Sequence, residues 1–282
     1  MKISAFYENI ETGAVNEGIP IEKALAQLKD DGMEQVCICC DTLKKDITMM
    51  QDMLRKAGVG VEGLYGYFSF AEDPLNIWYK DIIDLAVKMN ADNILIVPGL
   101  IERNSKSVLQ LKKNMWTGLK NAVLYGEEQG VTVSIEDYDD LKAPYCNISG
   151  ISEFLQNVPG LRLSFDTGNF VMEHEDEVKA FELLRDHICT VHLKDRGRAE
   201  KLPGRKNLPM TVCADGDRIC TVPAGDGFIH IKEILSKLRE NGFDGGLVAE
   251  MYGYPEQNMY QGIRRSVRWI RNTWQMDLMM KK

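Results

Sequence analysis

The sequence predicts a single-domain α/β protein folded as a (β/α)8 TIM barrel over residues 1–282. Eight strand-like runs alternate with amphipathic helical patterns along the whole chain, which is typical of a parallel sheet covered by helices. Eight such units in 282 residues match a closed barrel better than a doubly wound sheet. No Gly-x-Gly-x-x-Gly follows the first run and no Pro- or Ser-rich linker divides the chain. Neither a dinucleotide-binding sheet nor a second domain is therefore indicated.

The strands are short apolar runs separated by helical patterns with apolar residues at three- and four-residue spacing. We place the strands at residues 2–7, 35–40, 61–68, 93–97, 131–137, 161–166, 188–194 and 246–251. "IEKALAQLKDDG" stops at Gly32 and "LKKNMWTGLKNAVLYGEEQG" closes at Gly130, because glycine commonly ends a helix. The other helical patterns are "DITMMQDMLRKAGV", "IWYKDIIDLAVKMNA", "SGISEFLQNVPG", "EVKAFELLRDH", "FIHIKEILSKLRENG" and "MYQGIRRSVRWIRNTW".

The connection over residues 196–227 is unusually long, and connections of this length are commonly functional. Within it, "MTVCADGDRICTV" predicts a small hairpin turning at Asp-Gly. We expect this segment to form a lid or rim over the strand ends. Its basic residues are Arg196, Lys201, Arg205 and Lys206. Either they bind a phosphate or carboxylate group, or they lie in a solvated loop.

Composition and charge narrow the class of protein. The formal net charge of −8 and the pI near 5.2 argue against a nucleic-acid partner at the level of the whole chain. No run approaches the roughly 20 apolar residues of a membrane-spanning helix. The N-terminus does not read as a signal peptide, and seven cysteines without small-scaffold spacing do not suggest disulfides. We therefore expect a cytoplasmic protein without a membrane partner.

Four consecutive strands, the fifth to the eighth, carry a metal-capable side chain at or near their carboxyl ends: Glu136, Asp166, His192 and Glu250. Barrel enzymes build their active sites at these ends. Strand alternation then turns Ser134, Ser164, Thr190 and Val248 inward, and it turns Ile135, Phe165, Val191 and Ala249 towards the helices.

Three carboxylates held this close together, beside one imidazole, repel one another and raise one another's pKa unless a cation lies between them. Oxygen-rich ligation with one histidine suits Mn²⁺, Mg²⁺ or Co²⁺, and Zn²⁺ is a further option. The alternative is that each residue only caps its strand or pairs with a lysine from a loop. That alternative can account for any one of these residues, but it accounts less well for four of them at matching positions on neighbouring strands.

The motifs "SIED", "FDTGN", "VHLKD" and "AEMYG" resemble, in order and on the expected strands, the metal-ligand motifs of the xylose-isomerase-like TIM-barrel superfamily, in its sugar phosphate isomerase/epimerase branch. "PAGDGFIHIKEILSKLRENGFDG" resembles the segment that leads into the last strand of that family. The resemblance spans the whole chain. It implies that the four residues bind one divalent ion, Mn²⁺ first, and that Glu136 and Glu250 are the acid/base pair of a metal-stabilised enediolate mechanism on a small carbohydrate.

Further substrate-binding candidates follow from the same resemblance. Arg198 lies six residues after His192, where family epimerases carry an arginine that contacts substrate. Lys194 points inward by alternation, either to a substrate oxygen or to a ligand carboxylate. Asn169 and Lys142 stand where epimerases of free ketoses often have histidine and glutamate, so we expect a different substrate.

Other functions remain open on the sequence. Loss of a β-group after the same proton abstraction gives a dehydratase or lyase, acting on a keto-inositol or an oxidised glycoside. The abasic-site endonuclease of this superfamily needs several histidines near the strand ends, whereas this chain has four histidines in total, of which one is well placed. A non-catalytic sugar-binding role is the last alternative.

Two aromatic groups have more than one interpretation. The third strand ends in four aromatic residues, Tyr65, Tyr67, Phe68 and Phe70. These side chains either form a wall against the face of a sugar or pack in the core. Trp269 and Trp274 lie on the predicted terminal helix. They either form a contact in a homo-oligomer or pack against the barrel of their own chain.

Overall fold

The structure, a computed structural model, describes residues 2–102, 104–198 and 209–279. Eight parallel strands close into one barrel in chain order, with the last strand pairing back onto the first. They are β1 (Lys2–Phe6), β2 (Gln35–Cys39), β3 (Gly60–Tyr67), β4 (Asn93–Val97), β5 (Thr132–Glu136), β6 (Arg162–Asp166), β7 (Ile188–Leu193) and β11 (Gly246–Ala249). The predicted barrel is confirmed, and each strand end lies within two residues of its predicted position.

Helices cover the outside of the barrel: α1 (Tyr7–Asn16), α2 (Ile21–Asp31), α3 (Cys40–Leu43), α4 (Ile47–Ala57), α5 (Trp78–Met89), α6 (Val108–Gln129), α7 (Ile148–Asn157), α8 (Glu177–Leu184), α9 (Ile231–Glu240) and α10 (Glu256–Met279). Short 3₁₀ turns occupy Phe170–Glu173 and Arg185–His187. The predicted ends at Gly32 and Gly130 are confirmed, with φ of 118° and 72°. Both values lie in the left-handed region that glycine adopts without strain.

Helix α1 was not among the predicted helices, and its packing explains why it forms. It follows β1 directly and packs along α10. A Cβ at Gly13 would lie 2.5 Å from the backbone nitrogen of Tyr260, so only glycine permits this approach. The helix is therefore held by a partner more than two hundred residues away in sequence, which no local pattern reveals.

The barrel interior and the helix-side core contain the residues that strand alternation assigned to them. The Ser134 and Ser164 hydroxyls lie 2.8 Å apart inside the barrel, and Val248 packs there with Phe6 and Tyr65. The outward set, Ile135, Phe165, Val191 and Ala249, belongs to the core between strands and helices. Because the alternation holds on these strands, their last inward positions converge at one mouth of the barrel.

The predicted hairpin is confirmed and forms part of a larger element. Strands β8 (Asp195–Arg198), β9 (Thr211–Val212) and β10 (Arg218–Val222) form a three-stranded antiparallel sheet in the order β8-β10-β9. Its tight turn contains Gly216 at φ 94°. Three of the predicted basic lid residues, Lys201, Arg205 and Lys206, lie outside the described residues. A lid function for this segment stays a prediction.

Three observations bear on the remaining sequence expectations. Trp269 and Trp274 are partly buried and pack against the helix-side core. All seven cysteines are free thiols. In the part of the chain that the structure describes, no helix combines the length and the apolarity that crossing a bilayer requires.

Candidate metal centre

The four predicted ligands come together at the mouth of the barrel. Glu136, Asp166 and His192 lie on β5, β6 and β7, and Glu250 follows β11 directly. One donor atom from each lies within 4.8 Å of the others, and all four residues are buried. His192 Nδ1 is 2.7 Å from Glu136 Oε1 and 3.2 Å from Glu250 Oε2.

Local structure fixes Asp166 in this cluster. Its Oδ1 accepts a hydrogen bond from the Gly168 backbone N–H at 2.6 Å, and its own N–H donates to Asp137 Oδ1 at 2.8 Å. A Cβ at Gly168 would lie 2.6 Å from the carbonyl oxygen of Lys194, so glycine is required at this crossing. "FDTGN" therefore builds a turn that leaves Asp166 Oδ2 free to face the cluster.

The donor set fits a divalent cation. Asp166 Oδ2 is buried without a hydrogen-bond partner, and Glu250 Oε2 is buried with only the His192 contact at 3.2 Å, which is costly for carboxylate oxygens. Burial, with the negative charge of Glu250 next, raises the pKa of Asp166 well above its usual range. Burial disfavours the His192 imidazolium, but Glu136 and Glu250 outweigh it and raise the pKa of His192. The cluster therefore holds protons when no cation balances it, and three oxygens with one nitrogen are suitable ligands for Mn²⁺, Mg²⁺, Co²⁺ or Zn²⁺.

Added Mn²⁺ is expected to raise the thermal unfolding midpoint, since a ligand that binds only the folded state stabilises it. At a free concentration a hundredfold above Kd the gain is about 2.7 kcal/mol. Asp166→Ala should abolish most of this gain, and Asp244→Ala, at an exposed loop position, should retain it. Thermal unfolding with and without Mn²⁺ measures the difference. Equal shifts in both variants would contradict a cation site at Asp166.

Lys194 lies beside the cluster and pairs with one of its carboxylates. Its buried Nζ donates to Glu250 Oε1 at 2.7 Å and to Asp139 Oδ2 at 2.8 Å. Burial by itself raises the pKa of Glu250, but Lys194 and then His192 outweigh it, so the net shift is downward. Of the two interpretations of Lys194, the structure shows contact with the carboxylate of Glu250, a ligand candidate. The Asp139 contact had no counterpart in the sequence prediction.

Arg196 and Asn169 form a second layer behind Lys194. Arg196 is 1% exposed and donates to Asp139 Oδ2 at 3.3 Å and to Asn169 Oδ1 at 2.8 Å. Asn169 Nδ2 donates to the Asp137 carbonyl at 2.8 Å. The solvated interpretation of Arg196 is wrong, because its side chain holds a carboxylate of the protein itself.

Arg198 and Lys142 make their contacts elsewhere. Arg198 is about half exposed, lies 3.4 Å from Asp217 and stands over the Phe228 ring at 4.7 Å. Lys142 Nζ lies 2.7 Å from Glu102 on the surface. A substrate contact by Arg198 stays a prediction.

A cavity of about 150 Å³ opens beside the cluster, and we call it the central cavity. Both glutamates, Asp139 and Lys194 line it, together with the aromatic residues Phe6, Tyr65, Tyr67, Tyr138 and Tyr252. Of the third-strand aromatics, Phe68 and Phe70 are core, whereas Tyr65 and Tyr67 line the cavity. A wall for a sugar face stays a prediction. Tyr138 and Tyr252 were missed. Each stands two residues after a predicted ligand, so the same alternation could have found them.

Comparison with known proteins identifies the family. The family model described as xylose isomerase-like TIM barrel matches residues 7–273. The chain belongs to the xylose isomerase-like TIM-barrel family. The metal-ligand motifs that suggested this resemblance lie within the matched residues.

Relatives of this xylose isomerase-like barrel include dehydratases and epimerases. The inosose dehydratase of Lacticaseibacillus casei is 33% identical over 88 residues, which are 31% of this chain and 29% of that protein, so the match spans under a third of its length. The D-allulose 3-epimerase of a Methylomonas species superposes with a TM-score of 0.73 at 13% identity over 97% of this chain and 98% of its own. The IOLI protein with a binding zinc atom gives 0.73 at 16% identity, over 98% and 99%. At such identities these structures show the fold alone.

Proposed function

We propose that the protein is a divalent-metal-dependent isomerase or epimerase of a sugar, a sugar phosphate or a cyclitol, acting by proton abstraction next to a carbonyl. One observation carries the proposal. Glu136 and Glu250 come from strands separated by β6 and β7, yet both line the same aromatic cavity and both contact His192. Two carboxylates on one small cavity are the arrangement that moves a proton off one carbon and onto another position of the same molecule.

The proposed metal ligands are Glu136, Asp166, His192 and Glu250, with Mn²⁺ as the first choice and Mg²⁺, Co²⁺ or Zn²⁺ as alternatives. The bound ion would supply positive charge to the substrate oxygens while a neighbouring carbon loses its proton. The zinc in the IOLI neighbour supports a divalent ion in this fold.

The chain's own residues supply the proton transfer and the binding. One of the two glutamates takes the proton next to the carbonyl, and the other returns a proton at the neighbouring carbon or on the opposite face. Lys194 keeps Glu250 ionised and fixes its position through the bond to Oε1. The rings of Phe6, Tyr65 and Tyr252 exclude water from the cavity and offer flat faces to the carbon–hydrogen side of a sugar ring.

A dehydratase is the second candidate function, and the 33% identity with inosose dehydratase over 88 residues favours it. The first step is the same proton abstraction next to a carbonyl. The electron pair left on carbon then expels a β-hydroxyl, which leaves as water after taking a proton. The products are an unsaturated ketone and water.

Incubation of the metal-loaded protein in D₂O with a panel of ketoses and inososes tests the proposal. We expect deuterium at an α-carbon by NMR, with isomerised product, and loss of turnover when a chelator removes the metal. A new ultraviolet absorbance from an unsaturated ketone would instead assign the dehydratase. Turnover that survives complete metal removal, or no deuterium and no absorbance with any member of the panel, would contradict both.

A further inference from the structure

Three side chains form a hydrogen-bonded row at the mouth of the barrel. The Tyr252 hydroxyl lies 2.5 Å from the hydroxyl of Tyr65, and the Tyr65 hydroxyl lies 2.9 Å from Glu8 Oε2. Tyr252 comes from the loop after β11, Tyr65 from β3 and Glu8 from the first turn of α1. Three separate segments therefore bring two phenols and a carboxylate into line, and the mechanism proposed above gives the hydroxyls of this row no task.

The two ends of the row meet different cavities. Tyr252 and Tyr65 line the central cavity, as Glu136 and Glu250 do. Glu8, at the other end, is partly exposed and lines a second cavity of about 470 Å³ between α1 and the start of α10. The row stands between the two cavities as a wall for a substrate, but a proton can cross it by passing from one hydrogen bond to the next.

The number of protons in the row fixes its direction. Each phenol carries a single proton, and an ionised carboxylate carries none. When Glu8 is ionised, Tyr65 must donate to it and Tyr252 must donate to Tyr65, so the Tyr252 oxygen can accept a proton from a substrate hydroxyl. When Glu8 is protonated, both hydrogen bonds reverse and Tyr252 can donate to the substrate. The charge of Glu8 therefore decides whether the cavity end of the row accepts or donates.

The surroundings of Glu8 suit a group that gains and loses a proton. Its Oε1 accepts the backbone N–H of Cys39 at 3.0 Å, so Oε2 is the oxygen that takes the proton from Tyr65. Burial raises the pKa of Glu8, although hydrogen bonds from Thr42 and Cys39 act in the opposite direction. A raised carboxyl pKa lies closer to neutral pH, where proton exchange is most effective. Burial and then the charge of Glu8 raise the pKa of Tyr65, so this phenol stays neutral.

We propose that the row is a proton relay for the hydroxyl protons of the substrate, while the two glutamates of the central cavity move its carbon-bound protons. The proton of the hydroxyl next to the carbonyl passes to the Tyr252 oxygen, the Tyr252 proton to Tyr65 and the Tyr65 proton to Glu8. The electron pair that stays on the substrate oxygen forms the new carbonyl bond. The former carbonyl oxygen takes a proton back along the same row, and Glu8 returns to its ionised form.

The relay rests on the proposed function and narrows it. Isomerisation between neighbouring carbons turns one hydroxyl into a carbonyl and one carbonyl into a hydroxyl, so oxygen-bound protons must move. Epimerisation at a single carbon leaves every hydroxyl as it was. Of the two reactions in that proposal, the relay therefore selects isomerisation. Tyr252 contacts the substrate, and Tyr65 and Glu8 act through it.

Mn²⁺-loaded protein in D₂O tests the relay, with fructose, tagatose and scyllo-inosose as probes. NMR measures deuterium in the recovered substrate, which reports removal of the α-proton, and the amount of isomerised product. Tyr65→Phe keeps the ring and breaks the row. We expect it to lower the product formed per deuterium incorporated by about 10²-fold, the lower end of what positioned proton transfer contributes. Glu8→Gln should give the same fall, because an amide cannot take up a proton at neutral pH.

Tyr125→Phe and Glu22→Gln are the matched controls. The Tyr125 hydroxyl also donates to a carboxylate, that of Asp84 at 2.8 Å, but it lies on α6, and Glu22 is an exposed position of α2. Both controls should keep the parent ratio of product to deuterium. A variant that only loses packing or folded protein lowers exchange and product together, so its ratio also stays unchanged.

The outcomes separate the relay from the function on which it rests. Deuterium exchange with an unchanged ratio in Tyr65→Phe overturns the relay and leaves the proposed function standing. A fall in Tyr65→Phe that Glu8→Gln does not share overturns Glu8 as the end of the row. A parent protein that forms only the epimer at the exchanged carbon also overturns the relay. No deuterium in any of the three probes counts against the proposed function and the relay together.

Discussion

Replacing Glu136 or Glu250 with glutamine is expected to lower kcat by about 10²–10⁴-fold, the usual contribution of a positioned acid or base. Glutamine keeps the size of the side chain and one oxygen, but its amide cannot accept a proton at neutral pH. The double variant should lose little more than the worse single one, because the two residues act as a unit on one substrate. Deuterium exchange under saturating substrate measures kcat.

The control is Glu128→Gln, the same change at an exposed position of α6. It should retain kcat, and circular dichroism should show all four proteins folded. Metal content must be measured in each variant, because both glutamates are also ligand candidates. A folded Glu250→Gln protein with full metal content and unchanged kcat would remove Glu250 from the chemistry.

The clustering of the four ligand candidates was predictable because it depends on rules that act within single strands. Alternation fixes the side of the sheet for Glu136, Asp166 and His192, and a parallel barrel brings the carboxyl ends of its strands together. Neither rule needs knowledge of a distant contact. The same locality explains why strand positions and the helix ends at Gly32 and Gly130 could be predicted.

Apart from Tyr138 and Tyr252, which alternation could have found, the features that were missed depend on pairings between distant segments. Strand β8 reads as a polar loop in sequence, and it becomes a strand only because β10, some twenty residues later, pairs with it. Arg196 reads as a solvated charge for the same reason. Its burial follows from Asp139 and Asn169, which arrive from the loops after β5 and β6. A charged side chain is buried only where partners meet it, and sequence patterns do not show those partners.

Substituting Lys194 with methionine is expected to destabilise the protein by about 3–5 kcal/mol at neutral pH, the usual cost of removing one partner from a buried ion pair. Because methionine fills a similar volume, the loss of stability measures the effect of removing the charge and not the effect of opening a cavity. Glu250 and Asp139 would each lose a hydrogen bond of under 3 Å and the cation between them. Urea unfolding of metal-free protein measures the change. Lys232→Met, at an exposed position of α9, should stay within about 0.5 kcal/mol of the parent protein.

The pH dependence of this loss has a definite sign. Burial raises the pKa of Asp139, but Lys194 and Arg196 outweigh it, and the pKa values of both Asp139 and Glu250 lie below their usual range in the folded protein. A carboxyl with a lowered folded pKa adds stability above its unfolded pKa and loses it as the pH falls through the folded value. The parent protein therefore loses this contribution on acidification below about pH 4, the ordinary carboxyl pKa. The Lys194→Met protein has little of it to lose, so the gap between the two free energies of unfolding should narrow as the pH falls. A gap that widens on acidification would mean that Lys194 does not hold these carboxylates in their charged form.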